Sequence, residues 1–142
     1  MTAVVTQTGG SPIGAQVGPL LYAKSVCTAI PAAGNTDILE IMTLGLKNIG
    51  VYFTVATNNL DGFIVSAKFH PDDDFHSLYT AIDATPTESP LVIAASGTLA
   101  STAAGSDGWF IMDVRGIYAI KITVSGTVAD TTDVNIYASG SR

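Results

Sequence analysis

Residues 63–70 read FIVSAKFH, and residues 118–125 read YAIKITVS. In both runs every second side chain is apolar, a period that is typical of β-strands with one buried face. The predicted inward residues are Phe63, Val65, Ala67 and Phe69 in the first run, and Tyr118, Ile120, Ile122 and Val124 in the second. Because one sheet cannot cover its own apolar face, such strands predict two packed sheets.

Further short runs with strand character surround these two. They comprise residues 20–30, 37–46, 51–57, 75–82, 91–95, 109–114 and 133–138. Residues 58–62 (NNLDG) indicate a hairpin turn, and residues 83–90 and 96–108 are typical of loops. No run has a helical period. The predicted fold class is therefore all-β, a single antiparallel β-sandwich of jelly-roll or immunoglobulin-like type.

The N-terminal segment differs from the rest of the chain. Its Gly and Pro residues interrupt regular structure, which divides the chain into an extended arm, residues 1–19, and a β-sandwich domain, residues 20–142. We expect the arm to dock on a neighbouring subunit. Its apolar residues Val4, Val5, Ile13 and Val17 are the predicted partner interface.

Composition narrows the functional classes. The chain has 142 residues, of which 47% are hydrophobic and 13% charged, so it can form a core and is unlike a disordered chain. Its net charge of -6 argues against binding to nucleic acid or to an anionic membrane. Cys27 is the single cysteine, which excludes an internal disulfide. No apolar run is long enough for a membrane span and no basic signal segment is present, so we expect synthesis in the cytoplasm.

The most polar cluster is residues 70–76, which read HPDDDFH. Asp72, Asp73 and Asp74 could supply oxygen ligands to a divalent cation, although their spacing is not that of an EF-hand. The alternative is a solvated loop whose charges discourage strand pairing. We expect no bound metal and no other cofactor. If a cation binds, these three residues are its candidate ligands.

Enzymatic motifs are missing from the sequence. It contains no G-x-S-x-G elbow, phosphate-binding loop or dinucleotide fingerprint, and only His70 and His76 could act as a histidine base. Asp133 is expected to bond its own turn. The prediction is a protein without catalytic residues. Trp109 is interpreted as a core or rim residue, with a carbohydrate-stacking platform as the alternative.

Four stretches together resemble a known class of proteins. They are residues 46–50 (LKNIG), 63–72 (FIVSAKFHPD), 108–126 (GWFIMDVRGIYAIKITVSG) and 133–140 (DVNIYASG). This pattern resembles small β-sandwich proteins of tailed-bacteriophage virions, over roughly residues 35–140.

The resemblance implies a structural protein of the virion, most directly a head decoration (cement) protein. Such proteins bind the outside of the major capsid lattice and stabilise it, commonly as homotrimers. The expected partners are therefore the major capsid protein and further copies of this chain, and the expected location is the capsid surface. A tail, neck or fibre-adaptor component of the virion is the alternative, and a carbohydrate-binding module is the third hypothesis.

Overall fold

The structure, a computed structural model, describes residues 3–9, 20–31, 34–58, 60–82, 85–86, 93–95, 107–126 and 131–141. All regular structure within these ranges is β-strand. The strands are β1 (Val4–Gly9), β2 (Leu20–Ile30), β3 (Thr36–Met42), β4 (Asn48–Ala56), β5 (Leu60–Lys68), β6 (His76–Ile82), β7 (Thr85–Pro86), β8 (Ile93–Ala95), β9 (Asp107–Asp113), β10 (Ala119–Gly126) and β11 (Thr132–Ser141). Within these ranges the chain has no helix long and apolar enough to cross a membrane.

The strands form two antiparallel sheets packed as a sandwich, which confirms the predicted fold class. Sheet A has the order β1-β2-β11-β4-β9-β8, and sheet B has the order β3-β10-β5-β6-β7. Four nested antiparallel pairs build the two sheets: β2 with β11 and β4 with β9 in sheet A, and β3 with β10 and β5 with β6 in sheet B. The chain changes sheet at each step from β2 to β5. This strand order is that of a jelly roll, which decides between the two predicted topologies.

The core lies between the sheets and is filled by alternate residues of their inner faces. Phe53 of β4 and Phe63 of β5 are fully buried, and their ring centroids lie 4.6 Å apart across the two sheets. Other predicted inward residues are also buried, namely Val65, Ala67, Ile120, Ile122 and Val124. Two predicted inward residues are not buried: Phe69 is exposed, because β5 ends at Lys68 and the chain turns away from the core, and Tyr118 is half-buried just before β10.

The outer face of sheet B is partly covered. Thr123 is buried and donates from Oγ1 to Asp37 Oδ1 at 2.7 Å, while Lys121 Nζ lies 3.5 Å from Asp37 Oδ2. The same Lys121 ammonium lies 4.5 Å from the ring centroid of Phe75, in the loop between β5 and β6. These contacts cover part of that face, whereas none of the described residues covers the outer face of sheet A.

Three predicted connections need correction. Residues 58–62 do not form a hairpin, because β4 belongs to sheet A and β5 to sheet B. Turn residues mark a change of direction but not whether the next strand joins the same sheet. The predicted loop over residues 83–90 contains the short edge strand β7, and β9 begins at Asp107 rather than at residue 109. Residues 96–106 lie outside the described ranges.

β1 forms one edge of sheet A and also reaches the edge of sheet B. It pairs with β2 from Val4 to Gly9, so this part of the predicted arm is a strand of the chain's own sheet. Gln7 Nε2 donates to the Glu40 carbonyl at 2.7 Å, and Gln7 Oε1 accepts from the Glu40 N–H at 3.0 Å. The Gln7 amide therefore supplies β3 with the two bonds that a neighbouring strand would make.

Candidate functional site

The outer face of sheet A carries a straight row of side chains. The strand register places Thr8, Lys24, Tyr137, Tyr52 and Trp109 opposite one another, in this order, on β1, β2, β11, β4 and β9. All five side chains are exposed. Neighbouring strands lie about 4.8 Å apart, so the three aromatic side chains occupy consecutive positions on one face.

The members of this row contact one another. The ring centroids of Tyr52 and Tyr137 are 6.3 Å apart, with the ring planes inclined by 32°. Lys24 Nζ lies 5.7 Å from the centroid of the Tyr137 ring, within the usual range of a cation–π contact. The row therefore combines aromatic faces with a single ammonium group.

A second row beside the first consists of small residues between two large ones. Its members are, in register, Tyr22, Ser139, Gly50 and Ile111. Since Gly50 and Ser139 are small, this row forms the floor of a trough next to the aromatic row. Both rows line an open groove of about 620 Å³, which we call the aromatic groove.

Gly50 keeps the floor of the aromatic groove low. A Cβ atom at this position would lie 3.7 Å from Ile111 Cγ1, which is an ordinary van der Waals distance. The packing of the sheet therefore tolerates a side chain at Gly50, and that side chain would project into the groove.

Tyr52 is held by a carboxylate at one end of the groove. Its hydroxyl donates to Asp107 Oδ2 at 2.9 Å. This hydrogen bond, with a smaller contribution from burial, raises the pKa of Tyr52 above its ordinary value. The hydrogen bond to Asp107 also fixes the orientation of the Tyr52 ring.

The position of Trp109 corrects its interpretation as a core or rim residue. Its side chain is 41% exposed, and it belongs to the row on the outer face, midway along the neighbouring strand β4 rather than at one end of the sandwich. Sequence reasoning did not single out Tyr22, Tyr52 or Tyr137. Each of these alternates with buried neighbours along its strand, but only the register between strands places them beside Trp109.

The predicted partner-interface residues have separate positions. Val4 and Val5 lie on β1 and are both exposed, Val4 to 58%. Ile13 and Val17 lie outside the described ranges. The role of these residues in binding a partner stays a prediction.

The acidic loop is braced by its own hydrogen bonds. Asp73 accepts from the Phe69 N–H at 3.2 Å and lies 3.0 Å from His76 Nε2. The contact with His76 is the main cause that lowers the pKa of Asp73. Asp72 and Asp74 are exposed, and within the described ranges no three acidic, histidine or cysteine side chains form a group that could hold a metal ion.

The groove has the chemistry of a binding surface. Both histidines of the chain, His70 and His76, flank the acidic loop that follows β5 in sheet B, whereas the groove lies on sheet A. The lining of the groove combines aromatic rings, hydroxyl groups and one ammonium group. Such a set can stack against a ligand and hydrogen-bond to it.

Comparison with known proteins gives a likeness of fold. No family model matches the chain, and neither does any curated protein. The solved structure of the SPBc2 prophage-derived protein YomS is similar over 100% of this chain and 96% of YomS, with a TM-score of 0.52 and 8% identity.

Two further solved structures are similar at lower scores. The enzymatically active domain of tailspike protein 4 from bacteriophage CBA120 has a TM-score of 0.47 and 9% identity, over 99% of this chain and 19% of that one. The module CsCBM6-3 from Clostridium stercorarium, solved with cellobiose, has a TM-score of 0.37 and 20% identity, over 83% and 74% of the chains. At identities this low, the likeness is one of fold alone.

Proposed function

We propose that this chain is a non-enzymatic structural protein of a tailed-bacteriophage virion, which decorates the outside of the capsid and stabilises its lattice. Its partners are the major capsid protein and other copies of this chain, assembled as a homotrimer. Two observations support the proposal: the resemblance of the sequence to virion β-sandwich proteins, and the whole-chain fold likeness to a prophage-derived protein.

The observation that carries the proposal is the edge of β1, which pairs with no further strand among the described residues. Soluble proteins usually protect an edge strand with charged residues, proline or a covering element. Residues 4–9 read VVTQTG and contain no charge and no proline. Within the described ranges, no strand pairs with the outer edge of β1. Such an edge is suited to pair with a partner in an assembled particle.

Stabilisation of a shell follows from this mode of binding. A protein that binds the assembled lattice but not the free capsid subunits shifts the equilibrium towards the assembled state by mass action. The rigid sandwich holds the bound edge in place, and the acidic net charge of -6 suits a position outside the shell, away from DNA.

A charge placed beside the β1 edge tests the proposal. We expect Val4→Lys to lower the copy number of this chain in purified virions by about tenfold, because a lysine next to an edge strand opposes strand addition. The measurement is quantitative mass spectrometry of virions that carry the Val4→Lys variant or the wild-type chain.

Leu44→Lys is the matched control. Leu44 is 61% exposed, close to the 58% of Val4, and lies between β3 and β4 rather than on β1. Both variants should fold like the wild type, since exposed substitutions usually change stability by about 0.5 kcal/mol or less. Full occupancy with Val4→Lys would contradict the role of the β1 edge.

A further inference from the structure

We propose that the aromatic groove binds an uncharged oligosaccharide, which lies across β2, β11, β4 and β9. This activity goes beyond the structural role proposed above and needs no other virion component. It rests on the arrangement of rings, hydroxyl groups and charge within the groove.

The rings supply the stacking surface. Tyr137, Tyr52 and Trp109 are consecutive in the row, and each exposes about two fifths of its surface. A pyranose ring has an apolar C–H face and polar hydroxyl edges, so it fits side chains that combine a flat apolar body with a polar end. An exposed row of three such residues is larger than the isolated apolar side chains of an ordinary surface.

The groups around the rings supply hydrogen bonds. Lys24 and Thr8 continue the aromatic row on one side, and Ser139 lies in the floor of the trough. Each of these polar groups can bond a sugar hydroxyl. The Tyr52 hydroxyl already donates to Asp107 but keeps its acceptor positions.

The charge of the groove selects an uncharged ligand. Lys24 is the one charged residue in its lining, within the described ranges, and Asp107 beside Tyr52 carries the opposite charge. With a chain charge of -6 around it, this site is unsuited to a polyanion such as nucleic acid or a sulfated glycan.

The dimensions favour a short extended chain. From β2 to β9 the row crosses three strand intervals, or about 14 Å, which is the length of a short oligosaccharide rather than of one sugar. The floor row and the aromatic row are about 7 Å apart along the strands. That spacing is narrower than an α-helix with its side chains, about 10 Å.

Binding of defined oligosaccharides to the full chain tests the proposal. The probes are cellohexaose and chitohexaose, which are uncharged and extended, and a heparin hexasaccharide, which is anionic. Isothermal titration should show saturable binding of cellohexaose or chitohexaose and none of the heparin fragment. No saturable binding of either uncharged probe, or tighter binding of the heparin fragment, would overturn the proposal.

Variants assign the binding to the groove. We expect Trp109→Ala to raise the dissociation constant by about tenfold, which corresponds to about 1.4 kcal/mol of binding free energy. Gly50→Leu should abolish binding by filling the trough. The control is Phe69→Ala, which removes an aromatic side chain that is also exposed but lies outside the groove, after β5. Unchanged affinity in folded Trp109→Ala and Gly50→Leu proteins would overturn the assignment.

A second copy of the chain, rather than a glycan, is the other possible occupant of the aromatic groove. Sedimentation of the wild type and of Trp109→Ala detects it: a wild-type oligomer that dissociates on this substitution would overturn glycan binding. The virion role is tested separately, because Trp109→Ala leaves the β1 edge intact. If Trp109→Ala loses glycan binding but is incorporated into virions normally, both proposals are supported. If the wild-type protein enters virions but binds neither uncharged probe, glycan binding alone is refuted.

Discussion

Replacing Phe53 with alanine is expected to lower the free energy of unfolding by about 3–5 kcal/mol. Phe53 is fully buried in β4, and its ring lies against that of Phe63 from the opposite sheet. Truncation removes this contact and leaves a cavity between the sheets. Since a domain of this kind is stable by only about 5–15 kcal/mol, the loss is a large part of the total.

Denaturant unfolding followed by circular dichroism measures this effect. Phe69→Ala is the control, because it deletes the same side chain from an exposed position beyond the end of β5. We expect the control to change stability by about 0.5 kcal/mol or less. Equal effects of the two substitutions would contradict the assignment of Phe53 to the inter-sheet core.

Asp133→Ala is expected to lower the free energy of unfolding by about 2 kcal/mol, because hydrogen bonds to a charged group contribute about 1.5–3 kcal/mol. Contrary to the turn interpretation, Asp133 bonds residues far along the chain. Its Oδ1 accepts from the Ala29 N–H at 3.1 Å, and its Oδ2 accepts from the Thr57 hydroxyl at 3.2 Å. Ala29 and Thr57 have positive φ angles of 58° and 78°, a conformation that costs a residue with a side chain about 1–2 kcal/mol.

Conservative and compensating variants make this prediction specific. Asp133→Asn keeps an acceptor for Ala29 but not the charge, so it should lose only about half as much stability as Asp133→Ala. Thr57→Gly, which removes the steric cost of positive φ, should recover part of the loss when it is combined with Asp133→Ala. The measurement is again denaturant unfolding. A loss with Asp133→Asn as large as that with Asp133→Ala would contradict this account.

The two-layer fold could be predicted because alternation is a local property. Residues 63–68 and 119–126 form strands, and the predicted inward residues within them are buried. The period of two indicates on which face of the sheet each side chain lies, and apolar faces on many strands require a second sheet. The prediction from alternation was wrong at Phe69, because the apolar pattern in the sequence continues past the end of β5 at Lys68.

The strand order and the groove could not be predicted in the same way. Residues 58–62 carry turn signals whether the chain forms a hairpin or crosses to the other sheet. The aromatic row depends on the register of β4 with β9 and β11, which brings residues about 50 to 90 positions apart in the sequence onto one line. A register shift of one residue would turn Tyr52 to the opposite face, and no local pattern fixes that alignment.

The copy number of this chain in purified virions, relative to the major capsid protein, tests the central proposal most directly. Quantitative mass spectrometry should find about one copy for each capsid subunit, or a simple fraction of that number, because decoration follows the symmetry of the lattice. Copies too few to cover the lattice would contradict capsid decoration and favour the tail, neck or fibre-adaptor alternative. Absence from the virion would contradict the structural role altogether.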